Sequence, residues 1–164
     1  MEMEEKLYKA CSDGKVEEVI KFLQNSQINI NWQNQNGHLS TPFHVACYFG
    51  HIEIVKLLLN DERVDTSKAS NYGETPFLIA CYYEKTEVVK YLLESGREID
   101  INKKDIDGKT GLDYAKKYGY TNIVKLIESF KKNPSQTRAR LRREFGIFYF
   151  FLIFFFFFFF FFFF

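Results

Sequence analysis

The feature that most constrains this chain is that it repeats. Four segments, "KACSDGKVEEVIKFL", "HVACYFGHIEIVKLLL", "LIACYYEKTEVVKYLL" and "DYAKKYGYTNIVKLIE", align without internal gaps. Their anchoring alanines, Ala10, Ala46, Ala80 and Ala115, are spaced 36, 34 and 35 residues apart. A period of that length marks a stack of small units, none of which buries its apolar side alone. Each unit predicts two short helices, of about seven and about nine residues. In the second helix of the first unit, Val16, Val19, Ile20 and Leu23 recur at i, i+3, i+4 and i+7, one apolar face. The next copy is less regular. Ile52, Val55, Lys56 and Leu59 fill that stripe, and Ile54, Leu57 and Leu58 form a second one. A helix apolar on two sides has to lie between neighbours, and stacking supplies them.

Punctuation falls in register with the repeat. Thr41, Thr75 and Thr110 stand where a first helix begins; a Thr hydroxyl caps an orphan backbone N–H there, and Pro42 and Pro76 suit the first turn. Gly73 and Gly108 stand two residues before those caps, and Gly14, Gly50 and Gly119 sit between the paired helices. These residues carry a resemblance: "TPFHVACYFGHIEIVKLLL", "GETPFLIACYYEKTEVVKYLLESG" and "DGKTGLDYAKKYGYTNIVKLIES" are similar to the ankyrin repeat, over roughly residues 4–130. The resemblance implies an all-α repeat fold, an ankyrin-type solenoid of stacked helix pairs with hairpin-like turns projecting from it. It would hold a cap (4–31) and repeats at about 36–68, 71–103 and 105–130. "ININ", "VDTS" and "IDIN" are expected to be the hairpin strands. Departures are visible. Three residues, "HLS", separate Gly37 from Thr41 where the other copies have one, so that finger is longer. Glu84 takes the inter-helix glycine position, at a cost of ~1 kcal/mol if it is left-handed. Gly111 and Asp113 stand for the Pro and His of the motif, and Lys116 for the recurring Cys, as suits a closing repeat.

Charge divides the chain. Residues 1–130 hold 16 basic and 20 acidic side chains, and residues 131–164 hold six and one. A mildly acidic body does not fit nucleic-acid binding. The opening "MEMEEKLYKA" lacks an apolar signal core, so the body is expected in the cytoplasm, where disulfides are rare. Cys11, Cys47 and Cys81 each follow the anchoring Ala and are expected as a small-residue packing seam. His38, His44 and His51 have no zinc-site spacing. A thiol–imidazole pair, Cys47 with His44, is conceivable, but the repeat already accounts for both. No phosphate loop or nucleophile elbow is present. No enzyme activity, cofactor, metal or small-molecule substrate is expected.

The positive signal is aromatic. The resemblance implies that the exposed ends of the first helices and the fingers line a concave surface that takes a protein partner. The candidates are Tyr48, Phe49, Tyr72, Glu74, Tyr82, Tyr83, Lys109 and Tyr118. Tyr48, Phe49, Tyr72, Tyr82 and Tyr83 would form one aromatic patch, unless half of these rings pack on neighbouring helices instead. Tyr offers large contact area with few rotors.

Beyond the repeats, residues 131–144 form a basic collar or short helix, "NPSQTRARLRREFG" running through it. Ser135 is expected to cap that helix, with Leu141 and Phe145 on one side and Arg138, Arg140, Arg142 and Arg143 around the rest. It suits a lid on the last repeat, a juxtamembrane collar, or a contact to an acidic partner or RNA. Residues 145–164 are uncharged and hold 15 of the 20 Phe. Twenty helical residues span ~30 Å, one hydrocarbon core. The segment is therefore a transmembrane candidate, tethering the body on the cytosolic side, or a low-complexity artefact. Two functions remain open: an interaction module, or a tail-anchored scaffold whose collar and tail do the specific work.

Overall fold

The computed structural model describes residues 2–146. The candidate membrane span lies outside the described residues from 147 onward, and among the described residues no helix is long and apolar enough to cross a membrane. Four helix pairs follow one another: α1 (Glu2–Asp13) with α2 (Val16–Leu23), α3 (Pro42–Phe49) with α4 (Ile52–Asn60), α5 (Pro76–Tyr82) with α6 (Thr86–Glu94), and α7 (Gly111–Tyr118) with α8 (Thr121–Lys132). A ninth helix, α9, occupies 134–146.

The first helices pack in order, α1 on α3 on α5 on α7, and the second helices likewise, α2 on α4 on α6 on α8. This is an all-α repeat solenoid in two layers. The apolar periodicity explains the layers. Ile54, Val55, Leu58 and Leu59 of α4 and Val88, Val89, Leu92 and Leu93 of α6 are all buried, because each helix faces its own partner and two neighbours. Ala10–Cys11, Ala46–Cys47 and Ala80–Cys81 are buried along the seam, and all three thiols are free.

Capping fixes where α3, α5 and α7 begin. Thr41, Thr75 and Thr110 accept from the backbone N–H three residues on, and His44 and Asp113 complete reciprocal boxes. Gly111 replaces proline for a packing reason: a Cβ there would lie 2.9 Å from Cys81 Sγ. Glu84 does take the left-handed conformation, at φ 56°. The long first finger places both its extra residues, His38 and Leu39, at positive φ.

The hairpin strands do not form. An isolated bridge, Asn34 with Ser40, is the β pairing present among the described residues. Side chains compete for the backbone: Asn29, Asp65 and Asp100 each accept from the N–H two residues on, as do Asn34 and Asp105 in the fingers. These short polar turns replace the ladder. The fingers still stack edge to edge, with Asn71 N–H bonded to His38 O and Ile106 N–H to Tyr72 O, both at 3.0 Å.

Candidate partner-binding face

Along one layer the same helix position recurs at every step, and what lies beneath it is small. Ala46, Cys47, Ala80, Cys81 and Ala115 are buried in α3, α5 and α7 just before those ends, so small residues lie there and the exposed ends come into mutual reach. Those ends carry rings. Phe49 meets Tyr48 at 4.7 Å between centroids, Tyr48 meets Tyr83 at 4.3 Å and Tyr83 meets Tyr82 at 4.8 Å. Tyr82 continues to Tyr118 at 5.5 Å, and Tyr118 to Tyr120 at 5.8 Å. Most contacts are edge-to-face, the arrangement that ring quadrupoles favour. Tyr48, Phe49, Tyr83 and Tyr118 remain between 38% and 46% exposed. Tyr82 is half-buried.

The expected five-ring patch therefore divides. Tyr72 belongs to the second finger and tilts against His38 at 5.1 Å, apart from the run. Tyr82 serves partly as support, its ring touching Tyr114 at 4.7 Å and its hydroxyl lying 3.3 Å from that of Tyr118. Glu74 is half-buried beside the run, with Ser70 Oγ donating to its Oε2 at 3.2 Å. Burial and the nearby Asp105 charge hold its carboxyl above the usual range. Burial, with the charges of neighbouring Tyr48 and Glu74, likewise keeps the Tyr83 hydroxyl protonated beyond its usual range. Lys109 lies at the open end of the stack, around a shallow recess with Asp107, Asp113, Tyr114 and Lys117.

Tyr114 was not among the expected site residues. It holds the register position of Val45 and Ile79, so it looks like core, and its ring is indeed buried. Its hydroxyl, however, donates to Asp105 Oδ2 at 2.6 Å and braces the third finger behind the rings. The visible signal was a Tyr where the two inner units have an aliphatic residue.

The Cys47–His44 pair is not a nucleophile and base. Burial pushes the thiol far up, away from thiolate. Burial also lowers His44 to about 4, and both its nitrogens are occupied. Among the described residues no group of side chains is arranged to hold a metal ion.

The collar arginines divide too. Arg138 Nε donates to Leu93 O at 3.2 Å and Arg142 to Glu94 O at 3.3 Å, both at the end of α6. Leu141 is buried, and Phe145 stands edge-on to Tyr91 at 6.0 Å. α9 thus lies across α6 and α8, on the layer opposite the ring run. Arg140, Arg142 and Arg143 are exposed. Asn133, not Ser135, caps α9, since its Oδ1 accepts from Gln136 N–H at 3.0 Å. Pro134, at the first helical position, starts this helix rather than merely ending the previous one.

Residues 7–105 and, overlapping them, 62–137 match the family model of ankyrin repeats, in three copies. The chain belongs to the ankyrin-repeat family. Ankyrin repeats are in general protein–protein interaction modules and are typically not enzymes. The second match runs past α8 into α9.

Proposed function

We propose that this chain is a non-enzymatic interaction module that holds a protein partner on the concave face formed by α3, α5, α7 and the fingers. The observation that carries the proposal is the continuous ring run from Phe49 to Tyr118. Each ring is braced by the next, yet four of them keep substantial area in solvent. Rings held rigid before binding lose little freedom on binding, which is what makes aromatic anchors effective. The family assignment supports a protein partner. The repeats are proposed to work on the cytoplasmic side, free or tethered.

The test is the double variant Tyr48→Ala, Tyr83→Ala. Its helical circular dichroism should match wild type, because neither ring is buried. Partner affinity should fall by a hundredfold or so, the scale of two interface hot spots. Unchanged affinity would remove this face from the account.

The alternative, a membrane scaffold acting through its collar and tail, rests on the uncharged residues 145–164. Two of its four arginines, Arg138 and Arg142, are already committed to α6, and that weighs against it.

A further inference from the structure

The charges beside the ring run narrow the chemistry of what binds there; the following rests on the proposed function. Glu74 and Asp105 stand on adjacent fingers, and the Asp105 charge adds to burial in holding the Glu74 carboxyl above its usual range. Their polar contacts are with neutral donors. Glu74 has Ser70 Oγ, and Asp105 has the N–H groups of Asp107 and Lys109 and the hydroxyl of Tyr114. Among the described residues neither forms an ion pair. Of the basic side chains on this side, Lys117 lies over the Tyr118 ring at 5.2 Å, Lys109 acts on Asp113, and His38, packed on Tyr72, draws the Glu74 carboxyl only partly back down. Both carboxylates act on the ring run. Tyr114 joins Asp105 to Tyr82, and the Glu74 charge is felt at Tyr82 and Tyr83.

Ring faces are the negative side of an aromatic quadrupole. Ring faces and carboxylates without an ion-pair partner together make a surface that favours positive charge. A purely apolar partner would strip water from Glu74 and leave it unpaired, a costly outcome. An acidic partner would be repelled. A cation on an apolar stem satisfies both halves at once, its stem on the rings and its head toward the carboxylates. A guanidinium does this best, being planar, weakly hydrated and forked.

We propose that the partner segment recognised on this face is cationic: a stretch of protein presenting arginine, or lysine, which lies over Tyr83 and Tyr48 with its charge toward Glu74 and Asp105. A random 12-residue peptide display library, selected against the full chain held in detergent micelles, tests this directly. Selected peptides are expected to be enriched in arginine or lysine. Fluorescence anisotropy should show affinity falling about tenfold for Glu74→Gln and with rising salt. Glutamine keeps the shape of Glu74 and its bond to Ser70, so folding is not at issue.

Two results overturn the idea, and they differ. Peptides that bind without basic residues, blind to Glu74→Gln but lost with Tyr48→Ala, Tyr83→Ala, would leave the face in place and remove the cation. Peptides blind to all of these variants would remove the face as well.

Discussion

The imidazole of His44 makes its hydrogen bonds where no water reaches. Nδ1 accepts from Thr41 Oγ1 at 2.7 Å and from Thr41 N–H at 3.2 Å, while Nε2 donates to Glu74 O at 3.0 Å. One neutral side chain thus closes the α3 cap and ties it to the base of the next finger. Protonation would destroy the acceptor, and burial lowers its pKa from 6.5 to about 4. Between those values the unfolded chain holds the proton and the folded chain does not. His44 therefore contributes its full stability above pH 6.5, and loses it as pH falls toward 4, on the order of 3 kcal/mol across the window. Denaturant midpoints should drop more steeply from pH 7 to pH 5 in wild type than in His44→Gln; parallel slopes would contradict this. Glu84 makes the opposite case. Its backbone sits at φ 56° in a position where Gly14, Gly50 and Gly119 sit in the other units, and its side chain is exposed. Glu84→Gly should raise stability by about 1 kcal/mol, read as a shifted urea midpoint; a loss would show that the side chain has a contact of its own to defend. Both residues were conspicuous in the sequence because the repeat supplies a reference at each position. Tyr114 was not, since a ring at an aliphatic core position does not disclose where its hydroxyl goes.

Between elements, arginine does what the sequence pattern did not disclose. Arg63 donates to Leu23 O at 2.9 Å, at the end of α2, and Arg97 donates to Leu59 O at 2.9 Å, near the end of α4. Leu23, Leu59 and Leu93 hold one register position, and Arg138 reaches the third of them from α9. Each helix end that would otherwise leave carbonyls unpaired receives a cation from the unit after it, which also suits its dipole. The last repeat has no such arginine of its own, and α9 supplies it. In the sequence a lid on the last repeat could not be told from a juxtamembrane collar, because the Arg63–Arg97 spacing is broken in residues 131–144, and only packing restores the correspondence. Arg97→Met should cost about 2 kcal/mol, the scale of charge-assisted bonds to a helix end. A chain ending at Asn133 should lose a comparable amount, with faster amide exchange at Ser95 and Gly96, while one ending at Gly146 should not. Equal stability of the two truncations would show that α9 is dispensable.

At the scale of the molecule, neighbours contact neighbours and little else, so stability accumulates along the stack. That one-dimensional order is why so much was legible. Helix pairs, caps, turn glycines and the buried alanine–cysteine seam all repeat, and a repeat is read by aligning the chain with itself. The fingers were less legible, because Asn and Asp turns that compete with strands depend on local hydrogen bonds rather than on period. The binding face was half legible. Rings at the helix ends could be placed on one side, but Tyr72 leaves that group for His38, and the bracing by Tyr114 and Asp105 needs three dimensions. The most direct test of the face asks what touches it in the cell. A photo-crosslinking phenylalanine analogue, p-benzoylphenylalanine, would replace Phe49 on the ring run in one full-length chain and Glu87 on the outer layer in another. Irradiation should yield a discrete protein adduct from position 49, absent from position 87 and lost when Tyr48→Ala, Tyr83→Ala are added. Adducts from position 87 alone, or an adduct at 49 indifferent to those two rings, would contradict the proposed face.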